Sequence, residues 1–385
     1  MMLAILQTSE LPRLAQPTIV AVALVYFAIV AAIGVWATRK TRTASDFFVA
    51  GEGIGLAALT LAAMSATLSG FAFIGGPGLV YATGVGAMFL ILPASVTSSM
   101  TSWALAKRMR LLAEVRGLIT VPDAIGARYR SPAAQGLSAV AILVAVIGYM
   151  ATNILALGLV IDAIFGTGLT WGVWIGMAIV LGYSVAGGIL AGVYTDVFQG
   201  SLMAVASVLV FIYTLKTGGG MEGISRTILS ADAAFMGPFG SMGAVAALSL
   251  FFVFGVGSMG QPHVIHKFYM LRDPRKLKWY PLLVTLALVV TMLLYFGVGV
   301  AVKALVVEGR MEPLARPDDA TPFFLLRFTP VLLAALVFSG VAAAIMSTVN
   351  SFMNIGAAAI THDIPVALGF KVKNELKWYP LLVTL

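Results

Sequence analysis

Two of the apolar spans in this chain are interrupted by glycine and proline, in similar settings far apart in the sequence. One runs from about Ile54 to Tyr81 and contains Gly75-Gly76-Pro77-Gly78. The other runs from about Met242 to Val264 and contains Gly255-Val256-Gly257-Ser258-Met259-Gly260-Gln261-Pro262. Unwound backbone at membrane depth leaves N–H and C=O groups without partners. Such a break persists only where protein, water or an ion satisfies them. A pair of interrupted hydrophobic segments, one in each half, therefore points to a transporter with a binding site between them.

The rest of the chain fits a membrane setting. Apolar residues make up 60% and charged residues 10%, against about a quarter charged in a soluble domain. Mean hydropathy is +0.99. Nine segments are candidates for crossing a bilayer, which takes roughly 20 apolar residues. They lie at about 18–37, 54–81, 85–106, 133–164, 171–187, 191–215, 242–264, 281–307 and 330–360. The all-α fold expected is that of a polytopic membrane protein. No small-residue cleavage site follows the Met1–Pro17 flank, so a cleaved leader is not expected.

Lys and Arg set the expected orientation. With the N-terminus outside, 17 of the 24 basic residues fall in inside segments, around Arg39–Arg42, Lys107–Arg130, Lys267–Lys278 and Lys371–Lys377. The other seven, Arg13, Lys216, Arg226, Lys303, Arg310, Arg316 and Arg327, fall outside. This alternation explains the pI near 9.7 without a nucleic-acid partner. The expected divisions are an extracellular segment 1–17, a transmembrane domain 18–365 and a cytoplasmic tail 366–385. The tail repeats LKWYPLLVTL of Leu277–Leu286 at Leu376–Leu385 and stops inside an apolar run. Nothing around the two copies is similar, which reads as an artefact or a truncation rather than a structural repeat.

Few residues could carry chemistry. There is no cysteine, and the three histidines are His263, His266 and His362. No carboxylate cluster nearby in sequence completes a zinc set, so no metal other than sodium is expected. Gly255-x-Gly257-x-x-Gly260 matches a dinucleotide fingerprint as a string but lies inside an apolar span, not after a soluble strand. It reads as a helix break or as close helix packing. The ninth span carries Ser347, Thr348, Asn350 and Ser351 within five residues. Such hydroxyls either bond back to their own helix or line an oxygen site for a hard cation. Asp196 sits in an apolar stretch, Gly187-Gly188 through Thr195-Asp196-Val197-Phe198-Gln199. It is a cap near the membrane surface, or it faces water, an ion or a partner. No catalytic set is present, so enzymatic activity is not expected.

Taken together these stretches resemble the sodium:solute symporter family. The likeness rests on Asp46-Phe47-Phe48-Val49-Ala50-Gly51, Ser69-Gly70 through Gly76-Pro77-Gly78, Gly187-Gly188 through Gln199, Gly260-Gln261-Pro262-His263, and Ala344-Ile345-Met346-Ser347-Thr348 followed by Thr361-His362-Asp363. It implies the LeuT-like inverted-repeat fold, with the second repeat incomplete. It also implies a sodium site formed by the carbonyls of Ser65, Leu68 and Ala344 and the hydroxyls of Ser347 and Thr348. The family's aspartate at the cytoplasmic exit falls on Asp196. Asn350 and Ser351 fall where some members hold a further sodium, and the Asn departs from a hydroxyl there. The solute would lie near Thr67, Ser69 and Gly70, facing Phe254 and Gly255.

The function so implied is sodium-coupled import of a small polar organic solute (an amino acid, carboxylate or sugar) across the cell's inner membrane. Sodium is the coupling ion, and no other cofactor is expected. The alternatives are a nonfunctional truncated fragment and a solute-sensor module.

Overall fold

The computed structural model describes residues 16–40 and 53–370. The Asp46–Gly51 motif, the first fifteen residues and the second LKWYPLLVTL copy lie outside them. Among the described residues the structure is helical, apart from one isolated parallel bridge between Ile54 and Leu271.

Helix α1 (Pro17–Lys40) buries Ile19, Ala23, Tyr26, Val30, Gly34 and Ala37. The spacing of three to four residues puts them on one stripe. That stripe lies against later helices, and Gly34 sits where any side chain would strike Tyr183. Small residues of this kind let helices approach where lipid removes most of the hydrophobic drive.

The second span divides into α2 (Leu56–Thr67), α3 (Gly70–Phe73) and α4 (Gly75–Thr83). Its main break is not at Gly75–Gly78. It falls at Leu68 and Ser69, which are extended (ψ 108° and 179°). Ser69 starts the next turn as an N-cap, its hydroxyl accepting from the Phe71 N–H at 3.3 Å. Pro77 stays in the first turn of α4, where a missing N–H breaks nothing. The glycines serve packing: a side chain on Gly76 would enter the Tyr295 ring, and one on Gly78 the Pro317 backbone.

Helix α5 (Met88–Thr101) contains Pro93 and runs through a π-turn at Ser102–Ala106 into α6 (Lys107–Arg116). The short α7 (Val121–Tyr129) is capped by Thr120, whose hydroxyl accepts from Asp123 N–H at 3.1 Å. Helix α8 (Pro132–Phe165) starts from a Ser131 cap with Pro132 in its first turn and ends at left-handed Gly166.

The fifth and sixth expected spans are joined in one helix, α9 (Leu169–Thr217), of 49 residues. A straight helix of that length would reach roughly 74 Å, more than twice the hydrocarbon core. It is not straight. The Asn350 side chain bonds Ser184 Oγ and also touches the backbone at Gly192. Eight residues of straight helix would part those points by about 12 Å, too far for one amide to bridge. The bend therefore falls between them, where Gly187 and Gly188 lie.

Helix α10 (Gly220–Ala231) leads to the second interrupted span, α11 (Gly243–Met259) and α12 (Pro262–Tyr269). Here the break is at Gly260 and Gln261. Gln261 is extended, as the residue before a proline prefers, and Pro262 opens α12. Gly255 and Gly257 remain helical. Helix α13 (Tyr280–Val307) follows, then α14 (Ala320–Phe328), α15 (Val331–Ala358), a π-turn at Ala359–Asp363 and α16 (Ile364–Ala367).

Among the described residues six helices are long and apolar enough to cross a membrane, against nine expected spans. The difference lies in the broken second span, the interrupted α5 and the bent α9. Helix α15 is the centre of the molecule: every residue from Val337 to Ala358 is buried. It packs on α1, α2, α8 and α9. Exposed Trp36, Trp103, Trp171, Trp174 and Trp279 stand at helix ends, as in a membrane-interface belt.

Candidate functional site

The break at Leu68–Ser69 frees backbone carbonyls that an unbroken helix would use, and α15 meets them with hydroxyls. Ser347 Oγ lies 2.9 Å from the Ser65 carbonyl and 3.0 Å from that of Ala344. Thr348 Oγ1 lies 3.4 Å from the Leu68 carbonyl and 2.9 Å from that of Ala344. All five residues named from sequence thus come together, from elements about 280 positions apart. Ser65 and Ser347 are fully buried and Thr348 is 1% exposed. The cluster offers neutral oxygens only, the donor type that suits a hard cation. Each hydroxyl can turn a lone pair to an ion while its proton stays on one carbonyl.

Asp196 is no surface cap. It lies within α9, fully buried, with Oδ2 2.8 Å from Lys267 Nζ on α12. Its Oδ1 has no partner, and neither does Gln199 Oε1 one turn on. Gln199 Nε2 donates to Tyr26 Oη at 2.8 Å, tying α9 to α1. Lys267, counted above among loop cations, is therefore an internal counter-ion; without it the inside tally is 16 against 7. A charge at membrane depth faces the bundle interior and pairs in this way.

Of the three residues named for a second sodium, Asn350 and one oxygen of Asp196 are bonded to other side chains. Asn350 Oδ1 accepts from Ser184 Oγ at 2.5 Å and from Asn354 Nδ2 at 3.1 Å. Asp196 bonds Lys267, and Ser351 Oγ has no partner. The amide in place of a hydroxyl pulls position 350 into a network with the first half of α9. The solute-facing set also differs from expectation. Thr67 Oγ1 donates to the Ala63 carbonyl at 2.7 Å, and Ser69 caps α3. Gly70 abuts Ile345. Phe254 is 40% exposed on α11, whose principal neighbour is α5.

Polar atoms without partners gather elsewhere. Gln261 Oε1 at the second break, both nitrogens of His263 and Ser351 Oγ are buried and unbonded. The His263 ring lies 4.4 Å from that of Phe352, which lies 4.6 Å from Tyr149. Unpaired buried polar groups cost about 1–3 kcal/mol each. Sequence reading passed over His263 because a lone histidine beside a proline carries no metal spacing.

A further polar cluster joins α7 to the end of α15. His362 Nε2 lies 3.1 Å from both Asp123 oxygens, Gln135 Nε2 donates to Asp123 at 2.9 Å, and Thr120 donates to Asp363. Burial alone would push the Asp123 carboxyl up. The His362 hydrogen bond and charge, with the Ile119 N–H, outweigh it and hold the group below its ordinary range.

A bundle with two interrupted helices and an oxygen cluster at one break defines an ion-coupled membrane transporter. Comparison with known proteins agrees. The sequence profile of the sodium:solute symporter family matches residues 47–381; the chain belongs to that family. The osmoregulated proline transporter OpuE of Bacillus subtilis (strain 168) is 29% identical over 354 residues, covering 88% of this chain and 69% of OpuE. The high-affinity proline transporter PutP of the same organism is 27% identical, covering 86% and 70%. A solved structure of a Na+-coupled sialic acid symporter, substrate-bound and outward-open, superposes with a TM-score of 0.85 at 19% identity, over 96% of this chain and 80% of that one. The fold is the LeuT-like one. The protein is an integral membrane symporter that couples solute import to sodium, not an enzyme.

Proposed function

We propose that the coupling sodium ion binds among the carbonyls of Ser65, Leu68 and Ala344 and the hydroxyls of Ser347 and Thr348. The observation that carries this is the approach of both hydroxyls to carbonyls freed by the Leu68–Ser69 break. Sodium there ties α2 to α15. All its ligands are neutral, so the ion brings the only formal charge and is free to leave when the two helices part. One charge entering down 100 mV yields about 2.3 kcal/mol. A tenfold sodium gradient adds about 1.4 kcal/mol. Asp196 lies on α9, one turn before Gly200 packs against the Leu61 carbonyl of α2. It offers a departing sodium its unpaired Oδ1, while Lys267 keeps the carboxylate from holding the ion tightly.

The solute is a small polar molecule that satisfies Gln261, His263 and Ser351, with Phe352 and Tyr149 as apolar walls. Proline is the first candidate, since OpuE and PutP are proline transporters. In the membrane the N-terminus lies outside, the orientation supported by the basic residues, in the cell's plasma membrane. The test is uptake of radiolabelled proline, acidic amino acids and sugars into proteoliposomes of the chain, with and without an inward sodium gradient. Sodium-driven accumulation of one of them supports the reading. Equal uptake under a potassium gradient overturns it.

A further inference from the structure

The folding of α7 onto the end of α15 gathers potential metal ligands that lie 239 positions apart in sequence. The donor atoms of Asp123, His362 and Asp363 all lie within 4.8 Å of one another. An imidazole with two carboxylates suits a borderline transition ion and not an alkali cation. Zinc takes such ligands at about 2.0–2.2 Å, which sets neighbouring donors roughly 3–3.5 Å apart. His362 Nε2 already stands 3.1 Å from each Asp123 oxygen. The carboxylates are oriented from behind, as ligands usually are. Gln135 and the Ile119 N–H donate to Asp123, and Thr120 donates to Asp363.

A second observation comes from another element. His266 on α12 is 6% exposed, and its Nε2 has no partner. A neutral imidazole nitrogen is the form in which histidine binds metals. Nε2 belongs to a residue lining one cavity with Thr120 and Asp363.

We propose that Asp123, His362 and Asp363 form a site for a divalent zinc-class ion, with His266 as fourth donor. This goes beyond the sodium reading and shares none of its ligands. The ion would bridge α7, the end of α15 and α12.

The test is titration of the purified full chain, with no affinity tag, by zinc chloride against a chromophoric chelator; magnesium and calcium serve as controls. One zinc per chain is expected, with micromolar or tighter affinity and no response to the controls. His362→Gln and Asp363→Asn should each weaken it by about tenfold or more, and His266→Gln by less. His263→Gln serves as the control, since the chain has only three histidines and no cysteine; it should leave affinity unchanged. Each variant is first checked for a wild-type melting profile. If His362→Gln fails this, Asp363→Asn carries the test. No saturable zinc binding by the parent chain overturns the proposal. So does affinity unchanged in the folded variants, or lost only in His263→Gln.

Discussion

Two buried polar sites, one between α2 and α15 and one between α9 and α12, solve opposite problems. At Ser65, Leu68, Ala344, Ser347 and Thr348 every donor is neutral, and the hydrogen bonds of 2.9–3.4 Å are made between groups that also serve other partners. At Asp196 and Lys267 two full charges face each other at 2.8 Å, both nearly inaccessible. A neutral oxygen cluster tolerates being empty or filled. A buried ion pair does not tolerate losing a member, because the remaining charge stays uncompensated. The first is suited to an ion that comes and goes, the second to holding α9 and α12 together between such events.

The difference predicts a hierarchy of effects. The largest is for Lys267→Met, which strands the Asp196 carboxylate. It should lower stability by about 3–5 kcal/mol, seen as a sharp fall in melting temperature in detergent. The double variant Asp196→Asn with Lys267→Met should recover most of that loss. Recovery of none would mean that the pair is not one energetic unit. In transport, Asp196→Asn should slow sodium release and turnover more than it weakens solute binding.

Next come the neutral ligands. Each of Ser347→Ala and Thr348→Ala removes hydrogen bonds worth about 0.5–1.5 kcal/mol, a small stability effect. Each should nevertheless raise the sodium concentration for half-maximal uptake by roughly tenfold, a loss near 1.4 kcal/mol. Asn350→Ala separates the two sites further. It strands the Ser184 hydroxyl, at about 1–3 kcal/mol, yet should leave the sodium dependence unchanged, since Asn350 faces α9 and not the cluster. A shifted sodium dependence in this variant would favour a second sodium at Asp196, Asn350 and Ser351.

The smallest effect lies outside the membrane-spanning helices. The hydrogen bond from Lys303 at 3.2 Å holds the Asp232 carboxyl below its ordinary range, helped by the Phe235 N–H. A depressed folded-state pKa contributes stability above the unfolded value, near 4, and loses it as pH falls through the folded one. The pair is partly exposed, the side chains of Lys303 and Asp232 being 24% and 37% accessible, and solvent screens it, so Asp232→Asn should change the melting temperature little at neutral pH and flatten its decline below about pH 4.

The neutral cluster was legible in sequence because its signals are local: two adjacent hydroxyls on an apolar helix, and a family motif that aligns them. The place of the first break was not. Gly75–Gly78 reads as a helix breaker, yet those glycines admit Tyr295 and Pro317, and the chain unwinds at Leu68–Ser69, where a serine caps and the α15 hydroxyls donate to the freed carbonyls. That choice is tertiary. The same holds for Lys267, which lies among basic residues and reads as a loop cation until α12 carries it to Asp196, 71 positions away. Two spans are expected either side of Gly187-Gly188, and the structure has one helix there, α9, bent between Ser184 and Gly192.

The central claim is that sodium occupies the α2–α15 oxygen cluster, and binding of radioactive sodium to the purified chain tests it without any knowledge of the solute. Parent protein and Asn350→Ala should bind with equal affinity, while the folded Ser347→Ala and Thr348→Ala variants should each bind at least about tenfold more weakly. Equal sodium affinity in the parent chain and both hydroxyl variants would contradict the account.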